Sequence, residues 1–303
     1  MTVKQKTISP QAWAALFALA FIWGGSFVSV RIALDEIGPL TAVAHRTGWA
    51  MVLLWVYILY RKFPLPHQPR IWLAFLVMGA LNNVVPFSLM AWGQLYIESG
   101  LTSILNAATS VFGVVLAAMF FADERLTPRR FIGVLIGFLG VAIAIGLSSF
   151  ASLDLRSLGQ LAVIGGTLSY AIAGIWARKM LSELKPQVAA TGMVTGATLI
   201  MIPLAWIIEG PFRFDLSPVV WGAIAYYAIV ATALAYLLYY YVLQRAGSGN
   251  LMLVTLLVAP VAIVLGAVIL GEELQLRAYL GFAVLAVGLL ILDGRVLTRR
   301  PRP

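Results

Sequence analysis

Cysteine is absent from this chain of 303 residues, and histidine occurs only twice, as His45 and His67. The absence of cysteine excludes disulfide bonds, thiolate metal sites and cysteine nucleophiles. Two histidines are too few for a metal centre built on several imidazole ligands. We therefore expect neither a metal site nor a cofactor.

Charged residues are also scarce. They make up 11% of the chain, and apolar residues make up 61%, whereas a soluble domain has roughly 25% charged and 45–50% apolar residues. A soluble chain of this length could not cover so much apolar surface, so lipid is the expected solvent. The net charge of +9 would suit a nucleic-acid partner, but the positions of the charges indicate orientation in a membrane instead.

Long apolar runs fill most of the chain. A membrane-spanning helix needs roughly 20 mostly apolar residues, and ten segments meet that requirement. The predicted spans are Gln11–Ala33, Thr41–Tyr60, Ile71–Ile97, Leu101–Phe121, Arg130–Leu147, Leu158–Ala177, Val188–Ile208, Pro218–Leu243, Asn250–Leu270 and Ala278–Leu292. A full-length span follows the short basic start, which predicts a retained helix and not a cleaved signal.

The basic residues predict the orientation of these spans. With the N-terminus in the cytoplasm, 16 of the 21 Lys and Arg residues fall on the inner side, and only Arg156, Arg213 and Arg277 fall in outer loops. A miscounted span would reverse every later loop and destroy this bias. The sequence therefore predicts a multi-pass protein of the plasma (inner) membrane with both termini cytoplasmic. A monomer is compatible with this pattern.

The two halves of the chain repeat one another. Arg31 and Pro39 recur 147 positions later as Arg178 and Pro186, and Glu124, Leu126, Arg129, Gly133 and Gly140 recur 148 positions later as Glu272, Leu274, Arg277, Gly281 and Gly288. The repeats are residues 1–150 and 151–303, which form one integral membrane domain. Each holds five spans, an odd number, so the second repeat enters the membrane the opposite way up. This arrangement is typical of a secondary transporter with its substrate site between the halves.

Three motifs in this frame resemble a known family. They are Trp23-Gly24-Gly25-Ser26-Phe27, Asp123-Glu124-Arg125-Leu126-Thr127 and Gly271-Glu272-Glu273-Leu274. Their order inside ten duplicated spans resembles the EamA-type family of the drug/metabolite transporter superfamily, and within it most of all the YddG-type amino-acid exporters. The resemblance implies an all-α fold in which helices 1, 3, 4, 6, 8 and 9 surround a central cavity while helices 5 and 10 lie at the periphery. It also implies export of aromatic and other neutral amino acids, or of related metabolites.

Polar residues in the third and fourth spans are candidates for substrate binding. Asn82, Asn83 and Pro86 lie near the middle of the third span, and Ser103 and Asn106 lie in the fourth. Buried polar groups at this depth are costly unless they meet a partner or water. One interpretation is a kinked polar cavity wall whose amides bind the ends of a zwitterion. The other is that these amides join neighbouring helices.

Three aromatic residues are further candidates. Trp23 and Tyr170 correspond at an offset of 147 and would face each other across a cavity, where they would enclose an apolar or aromatic side chain or hold a cation against their ring faces. Trp176 is a weaker candidate, and ordinary packing explains all three equally well. Near the outer end of the second span, Arg46 would be able to attract a carboxylate or pair with an acid of the Asp35–Glu36 loop, and His45 would be able to titrate near neutral pH. For both we favour side chains that extend to the membrane interface.

Several functional classes lack the residues they need. No acid lies in the middle of a span, and a carrier driven by protons or sodium usually has one there. We therefore expect either uncoupled export down a concentration gradient or coupling through another group such as His45. The alternative within transport is export of drug-like cations or sugar-linked metabolites. A carrier of such cations would need a membrane-embedded Glu, and a nucleotide-sugar carrier would need several Lys or Arg residues in the cavity. An intramembrane enzyme would need paired Asp residues, a Ser–His couple or a metal, and a channel would need a ring of like groups. We expect a small-molecule substrate and no enzymatic activity.

Overall fold

The structure is a computed structural model that describes residues 10–122, 127–146, 154–246 and 253–293. These residues form ten helices. Seven of them are uninterrupted: α1 (Pro10–Ala33), α2 (Pro39–Tyr60), α5 (Pro128–Ile145), α6 (Leu155–Met180), α7 (Pro186–Glu209), α9 (Leu253–Leu270) and α10 (Leu276–Asp293). The other three are interrupted: α3 (Pro69–Gly79, Ala80–Val84 and Val85–Gly93), α4 (Ser99–Asn106 and Ala108–Phe120) and α8 (Pro218–Ala225, Tyr226–Leu234 and Ala235–Ala246).

The helices suit a bilayer by length and composition. Eight of those described are long and apolar enough to cross it, and the last two hold shorter apolar stretches, Leu257–Leu270 and Leu276–Leu292. Large apolar side chains cover much of the exposed surface, as at Phe17, Leu199 and Ile207. The predicted fold class, an all-α protein with ten membrane helices in two repeats, is confirmed. The predicted junction at Ser148–Asp154 lies almost wholly outside the described residues, as do both chain termini.

Several helices begin earlier than their apolar runs predict. A proline occupies the first position of α2, α3, α5 and α7, two residues before each predicted start. Proline is well suited to this position because its fixed φ is helical and its missing N–H would have no partner there. Hydropathy alone locates the apolar part of the first turn, and so it places these starts too late.

Helices α5 and α10 show directly that the two halves run in opposite directions. A Cβ atom added at Gly140 would lie 2.7 Å from the carbonyl oxygen of Gly281, and one added at Gly281 would lie 2.6 Å from that of Gly140. Gly133 and Gly288 meet in the same reciprocal way, at 3.0 and 2.9 Å. The earlier residue of α5 meets the later residue of α10, so the helices are antiparallel. Small residues permit this close approach.

The other helix contacts also occur in equivalent pairs. Each helix of the first repeat corresponds to the helix five places later in the second, so that α1 corresponds to α6 and α4 to α9. The contact between α1 and α9 is therefore equivalent to the contact between α6 and α4, and both are present. In the same way, the contact between α3 and α7 is equivalent to that between α8 and α2, and the contact between α1 and α8 is equivalent to that between α6 and α3. All four contacts are present. The repeats therefore form a pseudo-symmetric bundle, in which α5 and α10 pack mainly on each other and on α4.

The third helix of each repeat contains a π-helical segment. In α3 it covers Ala80–Val84, and in α8 it covers Tyr226–Leu234. A π-helical turn contains an extra residue, so it changes which side chains share a face and leaves carbonyl groups without their usual partners. In α3 this turn holds Asn82 and Asn83 and comes just before Pro86, which lacks the N–H that would continue the ladder.

Glutamates at one face of the bundle cap the first turns of helices from elsewhere in the chain. Glu209 accepts from the backbone N–H groups of Leu40 and Thr41, Glu272 accepts from those of Ser99 and Gly100, and Glu36 accepts from that of Ser217. The first turn of a helix has unsatisfied N–H groups and a partial positive charge, so a carboxylate is stabilising there. Hydrogen bonds from Ser217 hold the pKa of Glu36, in the α1–α2 connection, below its usual value. All three acids lie on the side predicted to be outer.

The cap on α4 leads to a stability prediction. Glu272 accepts three hydrogen bonds, including one of 2.8 Å from the hydroxyl of Ser99, whereas its neighbour Glu273 is exposed. We expect Glu272→Gln to lower the melting temperature of the purified protein by several degrees, because an amide loses the charge and one acceptor oxygen. Bonds to charged groups contribute about 1.5–3 kcal/mol.

The matched control is Glu273→Gln, which removes the same charge one residue away. It should leave the melting temperature unchanged in a thermal scan of detergent-solubilised protein. Equal effects of the two substitutions would show that loop charge, and not the cap, determines stability.

Candidate functional site

A cavity of about 630 Å³ lies between the two repeats. Helices α1, α3, α4, α6, α8 and α9 line it, as the resemblance implied, and the described parts of α5 and α10 do not. The structure adds α2, through Arg46, and α7, through Ala189, Ala190 and Met193. Four pairs of residues that correspond at the repeat offset of 147 line it: Trp23 and Tyr170, Phe27 and Gly174, Val30 and Ala177, and Arg46 and Met193.

Helix α4 gives the cavity two unpaired polar atoms. The helix is interrupted at Ala107, whose N–H bonds to the carbonyl of Ile104 at 3.1 Å, one residue closer than in a regular helix. Asn106 and Thr109 flank this turn and line the cavity. Asn106 Oδ1 and Thr109 Oγ1 are buried and have no hydrogen-bond partner among the described residues. Buried polar atoms are nearly always bonded, so these two oxygens need a partner that the described residues do not supply.

Aromatic rings form the apolar part of the wall. Trp23 donates from Nε1 to the carbonyl of Ala231 at 3.2 Å, and its ring lies 6.0 Å from that of Tyr239. Tyr170 meets Phe87 edge-on at 6.2 Å. The four rings therefore hold one another in place around the cavity. A rigid aromatic wall of this kind suits apolar or aromatic groups.

The structure brings four of the eight candidate residues to the cavity wall and places four elsewhere. Asn82, Asn106, Trp23 and Tyr170 line the cavity. Asn83 is fully buried and donates to the hydroxyl of Tyr236 at 3.4 Å. Pro86 packs against Gly166, Ser103 is buried outside the cavity, and Trp176 donates to the carbonyl of Ala74 at 3.0 Å.

Arg46 is the main residue that sequence reasoning misplaced. It lines the cavity and does not extend to the membrane interface, so that prediction was wrong. Its guanidinium carbon lies 3.9 Å from the centre of the Phe87 ring, and its Nε donates to Thr232 Oγ1 at 2.9 Å. Both partners lie deeper in the bundle, which draws the side chain inward. The sequence feature that points to this position is the charge of Arg46, since an arginine inside a membrane span usually faces a cavity.

His45 also departs from the predicted position at the interface. It is buried outside the cavity and accepts a hydrogen bond from Trp49 Nε1 at its Nδ1, at 3.3 Å. The rings of Phe212, Phe214 and Trp221 surround it edge-on, at 5.8, 6.3 and 5.8 Å. The α7–α8 connection thus folds over His45 and separates it from solvent.

The two ends of the cavity differ. At one end Gln94 Nε2 donates to the carbonyl of Phe27 at 3.0 Å and joins α3 to α1. Beyond Gln94 lies a second cavity of about 410 Å³, lined by Arg31, Asp35, Glu98 and Glu272 among others. At the other end the central cavity reaches Leu181, Ser182 and Leu184 in the α6–α7 connection.

Two inverted five-helix repeats around a cavity near the centre of the bundle define the architecture of a secondary transporter. The sequence agrees with this class. The profile of the EamA-like transporter family matches residues 11–146 and again residues 157–292, once in each repeat. The chain belongs to this family and is a multi-pass membrane transporter.

Several relatives match over nearly the full length. An uncharacterized transporter of Archaeoglobus fulgidus is 26% identical over 92% of this chain and 97% of its own. A probable terminal-alkyne amino-acid exporter of Streptantibioticus cattleyicolor is 27% identical over 97% and 96%. The uncharacterized inner membrane transporter YedA of Escherichia coli K12 is 25% identical over 95% and 93%. A crystal structure with 17% identity superposes at a TM-score of 0.69 over 97% of this chain and 100% of that one, which shows the shared fold.

The cavity leads to a labelling prediction. Because the chain has no native cysteine, a single introduced cysteine reports its own accessibility. We expect Asn82→Cys and Asn106→Cys to react with a small water-soluble methanethiosulfonate reagent, since both side chains line the cavity. We expect Asn83→Cys and Ser103→Cys to remain unreacted, since both are buried outside it. Intact-mass spectrometry measures the labelled fraction, and equal labelling at 82 and 83 would contradict the placement.

Proposed function

We propose that this chain exports small amphipathic metabolites, aromatic and other neutral amino acids in particular, by alternating access. The observation that carries the proposal is a cavity between the repeats whose wall combines aromatic rings with unpaired amide and hydroxyl oxygens. Its volume of about 630 Å³ falls within the range of roughly 300–1,000 Å³ for small-molecule sites. The probable amino-acid exporter among the relatives supports the same substrate class.

The wall offers a different contact to each part of an amino acid. Asn106 Oδ1 and Thr109 Oγ1 would accept from the ammonium group, because an unpaired oxygen in a low-dielectric site favours a charged donor. The rings of Trp23 and Tyr170 would contact the side chain. Asn82, on the facing helix α3, adds a further amide to the wall.

The direction of transport is proposed from the charge distribution. The α6–α7 connection contains Lys185 and follows Arg178 and Lys179, which favours the cytoplasmic side of the inner membrane, with both chain termini on that side. The cavity is open where it reaches the exposed Ser182 in the α6–α7 connection, and in this orientation that end faces the cytoplasm, whereas the end at the buried Gln94 faces outward. Loading from inside and release outside would then follow from rearrangement of the two repeats.

A pair of threonines tests the site. Thr109→Val should reduce uptake of L-phenylalanine into proteoliposomes by about 10-fold or more, since bonds to charged groups contribute about 1.5–3 kcal/mol. The substitution keeps the shape of the side chain. Because Thr109 Oγ1 has no partner in the part of the chain that the structure describes, the loss would not come from a broken hydrogen bond to those residues.

The matched control is Thr198→Val on α7, a buried residue outside the cavity whose hydroxyl donates to the carbonyl of Val194 at 2.8 Å. It should transport like the parent, even if its stability falls. If both variants transported normally, the assignment of α4 to the site would be wrong. If the parent moved no amino acid from a panel that covers aromatic, aliphatic and charged members, the substrate class would be wrong.

Uncoupled transport is a separate prediction. None of the described residues that line the cavity is an aspartate or glutamate, and ion-driven carriers usually have a carboxylate at this depth. We expect radiolabelled amino-acid uptake down a concentration gradient to be unchanged when a protonophore abolishes the pH gradient. Uptake that stopped under this treatment, or in sodium-free buffer, would show coupling.

A further inference from the structure

Arg46 is the only charged residue among the described residues that line the central cavity. Its helix, α2, also contributes no other residue to the wall. The cavity therefore has a positive charge at one place and no carboxylate to neutralise it. In a bundle surrounded by lipid, where the dielectric constant is low, this charge dominates the electrostatic potential felt by a solute.

The contacts of Arg46 fix the position of its guanidinium group and leave most of its hydrogen-bonding capacity unused. One face of the group lies against the ring of Phe87, at 3.9 Å. Nε donates to Thr232 Oγ1 at 2.9 Å, and the hydroxyl of Thr232 in turn donates to the carbonyl of Tyr227 at 2.8 Å. No described residue accepts a hydrogen bond from either Nη atom. A guanidinium held in this way still presents the two Nη groups to a carboxylate.

An arginine with a purely structural role in a span would normally have an acidic partner or reach the interface, because an isolated charge is costly at this depth. Arg46 does neither in the part of the chain that the structure describes. The other arginines at the predicted outer side with described contacts do have acidic partners: Arg31 pairs with Asp35, Arg156 with Glu98 and Arg213 with Asp215. Arg46 is the exception, and it is the one that faces the cavity.

We propose that Arg46 binds the carboxylate of the transported solute, so that the transporter selects carboxylates with an apolar body and rejects amines that lack a carboxylate. This inference rests on the proposed use of the central cavity as the transport site. It adds to that proposed function the chemical group that a substrate must carry, which is a carboxylate. With the carboxylate on α2 and the ammonium on α4, an amino acid would lie across the cavity, and its side chain would extend along Phe87 and Tyr170. The same charge repels drug-like cations.

Three probes with the same aromatic body test the selection on the parent protein in nanodiscs. They are 3-phenylpropionate, which has only a carboxylate, L-phenylalanine, which has both charged groups, and phenethylamine, which has only an ammonium. Isothermal titration calorimetry should detect binding of the first two and none of the third. Binding of phenethylamine as tightly as 3-phenylpropionate, or binding of none of the three, would overturn the proposal.

Variants then assign the effect to one side chain. Arg46→Gln should weaken 3-phenylpropionate binding by about 10-fold or more, because the charged hydrogen bonds are lost. Arg46→Lys should retain part of the affinity, since it keeps the charge without the planar fork. The control is Arg213→Gln, which removes an exposed arginine in the α7–α8 connection, outside both cavities, and should bind like the parent. Unchanged affinity in Arg46→Gln would overturn the proposal.

The outcomes separate this inference from the proposed function. If the parent binds 3-phenylpropionate through Arg46 but transports no amino acid, the carboxylate site stands and the amino-acid substrate class fails. If amino acids are transported equally by the parent and Arg46→Gln, the substrate class stands and the role of Arg46 fails. If Arg46→Gln does not purify as a folded protein, the probe comparison on the parent and the affinity of Arg46→Lys decide.

Discussion

Lipid offers a helix backbone no hydrogen bonds, so an interruption in a membrane helix must be satisfied by protein or face a water-accessible space. Three described helices are interrupted, α3, α4 and α8, and all three line the central cavity. The residues at or beside these interruptions include Asn82, Asn106 and Thr232, of which the first two line the cavity and the third holds Arg46. The irregular backbone and the polar chemistry thus occur together, because the cavity is where the bundle tolerates both.

The repeats share the scaffold but not its chemistry. Both third helices contain a π-helical segment, and at an offset of 148 Asn82, Asn83 and Asn106 correspond to Val230, Ala231 and Val254. Arg46 corresponds to Met193, which also lines the cavity. Duplication therefore supplied two equivalent walls, and among the described lining residues the amide side chains and the one charge belong to the first repeat only. An asymmetric wall can hold a solute in one orientation, which a fully symmetric wall could not do.

The number of spans and the internal duplication could be predicted from the sequence because they depend on hydrophobic composition and on the spacing of repeated residues. Span number, repeat offset and the presence of both Trp23 and Tyr170 in the cavity wall all follow from hydropathy and self-similarity. Which face of a helix meets the cavity depends instead on tertiary packing. Asn82 and Pro86 share a face in a regular α-helix, but the π-helical turn between them shifts that register, and only Asn82 lines the cavity. Arg46 was misplaced for a related reason, since its direction is set by Phe87 and Thr232, which are distant in sequence.

The two ends of the bundle differ in how corresponding glutamates are bonded. Glu36 and Glu183 correspond at an offset of 147. Glu36 caps the first turn of α8, whereas Glu183, in the α6–α7 connection at the open end, is exposed and has no hydrogen bond or ion pair to a described residue. At the same end as Glu36, Glu209 and Glu272 also accept from backbone N–H groups of the other repeat. Because all three carboxylates join one repeat to the other, they hold the repeats together at this end, whereas at the other end the central cavity reaches the α6–α7 connection.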